Sequence, residues 1–158
     1  MDAPRPLDRI DLTLLEMLQE QGRTKRNALA EKTGLSVPAV SERLKKLEDS
    51  GIIIGYRALV DQRKLGWDVT AFIVVTVDSS KHYQSFLNRV RATPEIIECH
   101  AITGEGTHLL KVRSTNTGAL EKLLSQIQSW SGVIRTLTSV VLSSPKETTI
   151  TPVTGNSK

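Results

Sequence analysis

Apolar residues in the first third of the chain recur every three or four positions, which is the spacing of one buried helix face. Three such segments follow one another, running from Asp8 to about Gln21, from Thr24 to Gly34 and from Ser36 to Gly51. Each begins with a residue whose side-chain oxygen can accept a hydrogen bond from an unpaired backbone N–H at a helix start. The pattern therefore predicts three short helices in succession, with Asp8, Thr24 and Ser36 as their N-caps.

The second and third predicted helices are separated by a very short turn. Gly34 stands where the second helix must stop, and glycine tolerates the left-handed backbone required there. Pro38 falls in the first turn of the third helix, where its missing N–H costs nothing. The third helix has two faces: the apolar one comprises Val37, Val40, Leu44 and Leu47, and the polar one Pro38, Ala39, Glu42, Lys45, Lys46 and Asp49.

A DNA-binding helix-turn-helix uses its second helix in this way, with small residues entering the major groove and cations further along. The spacing alone is equally compatible with an ordinary helical hairpin whose charged face meets water. The β-branched run that follows, at 51–60, predicts a short strand. Three helices followed by a strand or small hairpin form the outline of a winged helix-turn-helix.

The second half of the chain alternates between strand and helix periodicity. Strands are predicted at 68–77, 96–103, 107–113 and 133–143, and helices that begin near Ser79 and Asn116 lie between them. The order β-α-β-β-α-β is that of a ferredoxin-like unit. We therefore predict an α+β protein with a winged helix-turn-helix domain at 1–60, a linker at 61–66, a ferredoxin-like domain at 67–146 and a flexible tail at 147–158.

Charge and cysteine content narrow the function only slightly. The net charge is +4, and the segments before and after position 66 each contribute +2, so net charge does not itself indicate a nucleic-acid partner. Three cations, Arg23, Lys25 and Arg26, nevertheless surround a predicted helix start, which favours phosphate; plain surface charge is the alternative. The single cysteine excludes an internal disulfide, and with neither a signal peptide nor a long apolar stretch we expect a soluble, cytoplasmic protein.

No catalytic constellation is visible in the sequence. His82, His100 and His108 lie far apart in the sequence, with no Cys or Asp at a metal-ligand spacing around them. His100 and His108 could approach each other across a predicted hairpin, but packing side chains are favoured over a metal site there. The Gly104-x-Gly106 motif is too short for a dinucleotide fingerprint. No catalytic residue, metal or cofactor is therefore predicted.

Five stretches occur in an order and at a spacing typical of one family. They are LDRIDLTLLEMLQEQGR (Leu7–Arg23), LAEKTGLS (Leu29–Ser36), RLKKLEDSGIIIGYRALVD (Arg43–Asp61), ECHAITGEGTHLLKV (Glu98–Val112) and GVIRTLTSVVLS (Gly132–Ser143). From about Leu7 to Lys146 the chain thus resembles the Lrp/AsnC (feast/famine) transcription regulators. The resemblance implies a regulator rather than an enzyme, with C-terminal domains that dimerise through their sheets, assemble to tetramers or octamers, and sense a small molecule, usually an amino acid.

Double-stranded DNA is the macromolecular partner that this resemblance implies. The residues expected to face the major groove are Ser36, Pro38, Ala39, Glu42, Arg43 and Lys46. Arg43 and Lys46 are the ones most expected to touch guanine edges or phosphate. Contacts with the DNA backbone, which set affinity and register without reading sequence, are expected from Arg23, Lys25, Arg26 and Arg57.

The effector site implied by the resemblance is the turn between the second and third strands of the C-terminal domain. Its expected residues are His100, Thr103, Gly104, Glu105, Gly106, Thr107 and His108, with Thr136 and Thr138 from the last strand. Glycines at such a turn let backbone N–H groups approach a carboxylate. Many members of the family carry an Asp followed by Tyr or another large residue where Thr107 and His108 stand. Thr107 cannot pair with an ammonium group, so Glu105 is expected to substitute, or else the ligand is not a simple amino acid.

Two other classes of function stay open at this point. An enzyme similar to the haem-biosynthesis decarboxylases would have the same two-domain architecture, with His100 or His108 available for chemistry. The cationic helix argues against that class, because an enzyme does not need it. An architectural protein that compacts DNA without any effector is the second alternative.

Overall fold

The structure, a computed structural model, describes residues 6–153. Its helices are α1 (Arg9–Glu20), α2 (Arg26–Thr33), α3 (Val37–Asp49), α4 (Ser80–Ala92) and α5 (Thr117–Gln128), and its strands are β1 (Val69–Val77), β2 (Ile96–Ala101), β3 (His108–Ser114) and β4 (Val133–Val140). A 3-10 turn covers Arg63–Leu65. The chain divides into two compact units, which we call the head unit (Met1–Leu59 with Glu147–Lys158) and the sheet unit (Val60–Lys146).

The head unit is built from three helices whose starts were predictable. Asp8 forms a capping box, because its carboxylate accepts from the backbone N–H of Asp11 while the Asp11 carboxylate accepts from the backbone N–H of Asp8. Ser36 caps α3 through Ala39, and Gly34 ends α2 with φ at 70°. The predicted apolar stripes meet in one core, which contains Leu14, Leu29, Ala30, Val40, Leu44 and Leu47.

The predicted N-cap at Thr24 is wrong. The N-cap position of α2 is occupied by Lys25, which makes no side-chain capping bond. Thr24 donates its hydroxyl hydrogen bond to the carbonyl of Gln21 at 2.6 Å. The Thr24 hydroxyl therefore stabilises the turn after α1, and the first N–H groups of α2 are left without a side-chain cap.

The prediction of a strand at 51–60, which was expected to form the wing of the winged helix-turn-helix, is also wrong. The backbone N–H groups of Ile52 and Ile53 both donate to the carbonyl of Leu47 at 3.0 Å, which ends α3. The residues that follow form no strand, and Ile54 and Leu59 are 93% and 83% exposed. A strand needs a partner for its backbone groups, and residues 6–153 of the chain provide none for this segment.

The sheet unit has the predicted β-α-β-β-α-β order. Its four strands are antiparallel neighbours in the order β2-β3-β1-β4. Alternate residues of β1 pack with α4 and α5 in a second core that includes Ala71, Ile73, Val75, Phe86, Leu110, Ile127 and Trp130. Both helices therefore cover the same face of the sheet, as expected for a ferredoxin-like unit.

The opposite side of the sheet, which we call the open face, carries apolar residues that remain accessible. Phe72 and Leu137 are 37% and 48% exposed. The strand register places Val74 between Leu109 and Leu137, and Phe72 between Lys111 and Ser139. Paired residues lie on one face of a sheet, so an apolar centre is flanked here by polar side chains.

The segment expected to be a flexible tail contains no helix or strand over residues 147–153. Thr151 nevertheless makes two hydrogen bonds with the side-chain amide of Gln19 on α1. The Gln19 Nε2 donates to the carbonyl of Thr151 at 3.0 Å, and the backbone N–H of Thr151 donates to Gln19 Oε1 at 2.7 Å. Together they attach this part of the C-terminal segment to α1.

Candidate nucleic-acid interface and effector turn

The polar face of α3 is accessible, as the sequence predicts. Ser36, Pro38, Glu42 and Lys46 are exposed, and Ala39 is half-buried. Lys46 donates to Glu42 at 2.6 Å, and this bond holds the pKa of the Glu42 carboxyl below its usual value. The ion pair is exposed and therefore weak, so phosphate can compete for the ammonium group. Whether these residues contact DNA stays a prediction.

Three cations, which we call the cation cluster, surround the start of α2. Arg23, Lys25 and Arg26 are all exposed, and none of them forms an ion pair within the described residues. The first N–H groups of α2 lack a side-chain cap, and such groups together with the helix dipole attract anions. The arrangement is thus suited to a phosphate, and that role stays a prediction.

Arg43, which the sequence predicts to contact DNA, is instead ion-paired with two aspartates at the start of α1. Its Nη1 lies 2.7 Å from Asp8 Oδ2 and 2.8 Å from Asp11 Oδ1, both on the side of α1. Hydrogen bonds to these carboxylates raise the pKa of Arg43, while the backbone N–H of Asp11 is the main cause that lowers the pKa of Asp8. The sequence did contain Asp8 and Asp11 but no signal that they would meet Arg43, 32 to 35 residues away.

Arg57, the remaining predicted backbone contact, is exposed in the unpaired segment after α3. Its neighbour Tyr56 is anchored, because the Tyr56 hydroxyl donates to Glu48 Oε1 at 2.9 Å. Burial, with Glu48 as the second cause, raises the pKa of Tyr56 to about 12. The start of this segment is thus fixed on α3.

The predicted effector residues Thr103–His108 form the connection between β2 and β3, which we call the effector turn. Gly106 has φ at 86°, and a Cβ atom there would collide with the side chain of Val74 and lie 3.2 Å from the carbonyl of Val75. Thr107 is bound to the same strand: its hydroxyl donates to the carbonyl of Val75 and accepts from the N–H of Val77, each at 3.1 Å. Gly106 and Thr107 therefore fasten the turn to β1.

His100 and His108 do not approach each other, so this possibility is wrong. The register pairs His108 with Ala101 and His100 with Leu109, which places the two imidazoles on opposite faces of the sheet. His108 is 1% exposed between the rings of Tyr83 and Phe86, each 4.7 Å away. Burial lowers the pKa of His108, and its Nε2 has no hydrogen-bond partner in the described structure.

The other effector residues lie around the end of the sheet. Glu105 and Arg135 form an exposed ion pair of 3.0 Å that joins the effector turn to β4. Thr136 accepts a hydrogen bond from Gln128 at 2.9 Å, and Thr138 is half-buried. Thr136 and His108 both pair with Val75, so they share a row on the helix-covered face, whereas His100 is exposed on the open face. Sequence reasoning missed Arg135, which only the fold brings to the turn.

Cavities and metal-binding groups point to no further centre. A cleft of about 260 Å³ lies between residues 60–67 and the β2–β3 pair, and it does not include the effector turn. Within residues 6–153, no cluster of three or more His, Cys, Asp or Glu is arranged to hold a metal ion. In the same residues, no helix is long and apolar enough to span a bilayer.

The two units together define a class of protein. A helix-turn-helix with an exposed second helix and an adjacent cation cluster is a DNA-binding head. It is joined in one chain to a ferredoxin-like unit with a fastened turn and an open apolar face. This is the architecture of a DNA-binding regulator that carries a second, ferredoxin-like domain in the same chain.

Comparison with known proteins agrees with this class. The family model described as the Lrp/AsnC ligand binding domain matches residues 70–151, and a winged helix-turn-helix DNA-binding model matches residues 7–54. The chain therefore belongs to the Lrp/AsnC family of transcription regulators.

Individual relatives extend over nearly the whole chain. The HTH-type transcriptional regulator FL11 of Pyrococcus horikoshii is 36% identical over 94% of this chain and 97% of its own. A proline dehydrogenase transcriptional activator of Rhizobium radiobacter is 40% identical over 91% and 94%. The crystal structure of a Neisseria meningitidis transcriptional regulator in complex with L-methionine has a TM-score of 0.89 and 36% identity, over 92% of this chain and 96% of that one. These relatives are regulators and not enzymes, which removes the decarboxylase alternative.

Proposed function

We propose that this regulator reads DNA with the exposed face of α3, binds phosphates with the cation cluster, and responds to an amino acid at the effector turn. The observation that carries the proposal is the joining of a helix-turn-helix head to a sheet unit of the Lrp/AsnC ligand-binding type in one chain. Because a protein of this kind works where the cell's DNA lies, we place it in the cytoplasm of a prokaryotic cell.

The proposed DNA contacts are of two kinds. Ser36, Pro38 and Ala39 are small enough to let the start of α3 enter the major groove, and Glu42 and Lys46 lie one turn further on with their side chains exposed. The cation cluster and Arg57 supply charge for the phosphates. Contacts of the first kind select sequence, and contacts of the second kind set affinity and its dependence on salt.

The open face supports assembly into dimers and larger rings. Phe72 and Leu137 are large apolar residues that a single chain leaves 37% and 48% exposed. A contiguous apolar patch with a polar rim is typical of a protein interface, and packing two identical sheets would bury it. A symmetric dimer would present two heads, and these match half-sites about one helical turn apart or a multiple of it.

The effector turn offers groups that match both ends of an amino acid. Glu105 can bind an ammonium group and Arg135 a carboxylate. Their charged groups lie 3.0 Å apart and are exposed beside the effector turn. Thr107 takes no part in this recognition, since its hydroxyl is bound to Val75 and Val77. The Neisseria relative was solved with L-methionine, which supports an amino acid here as well. The exposure of Glu105 suits a site completed by a second copy.

Direct binding measurements test the proposal. The purified protein is titrated against DNA from upstream of its own gene and its neighbours, and against unrelated DNA, over a salt series with and without each of the twenty amino acids. We expect sequence-selective binding with a steep salt slope, shifted by at least one amino acid. Equal, weak binding to all DNA without any amino-acid response would instead support the architectural alternative.

Two double variants separate the DNA-binding surface from the effector turn. In Lys25→Gln/Arg26→Gln the loss of two phosphate contacts in each head should flatten the salt slope by about 1.8 per bound head, at roughly 0.9 per phosphate, while the effector response is kept. In Glu105→Gln/Arg135→Gln the DNA affinity without effector should be unchanged and the amino-acid response lost. A full response in the second variant would place the effector elsewhere.

A further inference from the structure

Arg43 differs from the other predicted DNA contacts because its charge is bound to a buried carboxylate of the head unit, whereas the Lys46–Glu42 ion pair is exposed. One nitrogen, Nη1, donates to both Asp8 and Asp11 at 2.7 and 2.8 Å. The Arg43 side chain is 25% exposed, while Asp11 is 1% exposed. A carboxylate this deeply buried requires a partner of opposite charge or several hydrogen-bond donors. To contact DNA through Nη1, Arg43 would have to withdraw that nitrogen from the carboxylate.

The ion pairs of Arg43 with Asp8 and Asp11 join α3 to α1. The orientation of α3 relative to α1 decides which side chains of α3 can face DNA. Asp8 and Asp11 form the capping box of α1, so both carboxylates are fixed by backbone hydrogen bonds. Arg43 lies on the flank of α3, between the buried stripe of Val40 and Leu47 and the exposed face that carries Lys46. A charged contact on the flank of a helix resists rotation of that helix about its axis. Rotation of α3 would change which side chains face the groove.

We propose that Arg43 is a positioning residue that fixes the rotation of α3 against α1, and that it does not itself bind DNA. Asp11 is the buried partner of Arg43 in this interaction, and Asp8 is the half-exposed partner. The inference rests on the proposed DNA-binding function of α3. It divides the cations of α3 into one that orients the helix, Arg43, and others, such as Lys46, that are accessible to DNA.

The two roles of Arg43 predict different specificity profiles. A guanidinium that contacts a base affects selectivity at one base-pair position of each half-site, and one that contacts a phosphate changes the salt slope by about 0.9 per bound head. A positioning residue affects every position that α3 reads and leaves the salt slope unchanged. Above all, substitution of Asp11 should have the same effect on selectivity as substitution of Arg43, although Asp11 is too deeply buried to touch DNA.

The experiment uses full-length protein and a pool of DNA duplexes with a randomised central segment. Bound and unbound duplexes are sequenced for the wild type, Arg43→Gln, Asp11→Asn and the double variant, and affinity for a selected duplex is measured over a salt series. We expect each single variant to lose selectivity at all α3 positions, with about tenfold weaker specific binding. The double variant should be no weaker than either single one, because both remove the same interaction.

Lys46→Gln is the matched control, since it removes another cation from the same helix. It should reduce selectivity at one base-pair position and leave the profile over the remaining positions intact. If Asp11→Asn does not fold by circular dichroism, Asp8→Asn replaces it, because asparagine caps a helix as well as aspartate. Asp8→Asn should then give a smaller loss with the same profile as Arg43→Gln.

The inference would be overturned by loss of selectivity at a single position in Arg43→Gln with none in the aspartate variant, or by additive losses in the double variant. A flatter salt slope in Arg43→Gln would likewise show a phosphate contact. These outcomes differ from failure of the proposed function, in which the wild-type protein itself would select no sequence from the pool.

Discussion

Replacing Gly106 by alanine should destabilise the sheet unit far more than the same change two residues earlier. Gly104 and Gly106 both have positive φ, at 97° and 86°. A Cβ atom at position 104 meets nothing within 4 Å, whereas one at position 106 collides with Val74 and lies 3.2 Å from the carbonyl of Val75. The comparison Gly104→Ala therefore isolates the backbone effect from the packing effect.

The magnitude follows from adding these two effects. An L-residue in the left-handed region costs about 1–2 kcal/mol, and forcing extra atoms into a packed site costs about 1–3 kcal/mol. We expect Gly104→Ala to lower the free energy of unfolding by the first amount alone, and Gly106→Ala by about 2–5 kcal/mol, the sum of both. The hydrogen bonds of Thr107 to β1 would be strained at the same time.

Tryptophan fluorescence during urea unfolding measures the effect in the intact protein. Both tryptophans, Trp67 and Trp130, belong to the sheet unit, and Trp130 is 3% exposed. With a urea dependence of about 1–2 kcal/mol per molar, the midpoint for Gly106→Ala should lie about 0.5–3 M below that for Gly104→Ala. Both variants are compared at one protein concentration, because assembly adds to stability. Equal midpoints would refute the argument from close packing at position 106.

A bulky residue at position 106 disturbs the attachment of the turn to β1, so a lost effector response in such a variant would not locate the ligand. Glu105 and Arg135 are exposed by comparison, and their substitution alters charge at the turn without entering the packed contact.

Two further predictions concern the sheet unit. Burial lowers the pKa of His108 from 6.5, so the unfolded chain takes up this proton at a higher pH than the folded chain does. The free energy of unfolding therefore decreases as pH falls below about 6.5. On acidification, the urea midpoint monitored by tryptophan emission should decrease less in His108→Phe than in the wild type. An equal decrease would assign the acid sensitivity to other groups. Phe72→Glu on the open face should reduce the mass in solution towards the 17.4 kDa of one chain, measured by sedimentation, while Gln126→Glu on the exposed side of α5 should not. An unchanged mass for Phe72→Glu would exclude that face from the interface.

Most of the fold was predictable because the signals that specify it are local. The caps at Asp8 and Ser36, the stop at Gly34 and the apolar stripe of α3 each depend on residues within one or two turns. The alternating burial of β1 depends in the same way on a period of two. Pattern alone therefore predicted three helices followed by β-α-β-β-α-β, and the five motifs predicted the family.

Tertiary structure decided the features that depend on a distant partner. The run at 51–60 has strand-forming residues but no strand beside it in the described chain, so its local preference was not realised. His100 and His108 point to opposite faces because of the β2–β3 register, which spacing along the chain does not specify.

The candidate sites show the same division. That Arg43 is a cation on the flank of the recognition-type helix was determined by the sequence; that Asp11 holds it was decided by the packing of α1 against α3. The sequence likewise placed Thr107 in a glycine-rich turn, but only the fold brings that turn against Val75 and Val77. Local hydrogen bonding and periodicity depend on neighbouring residues, whereas the partner of a charge or hydroxyl depends on which segments the folded core brings together.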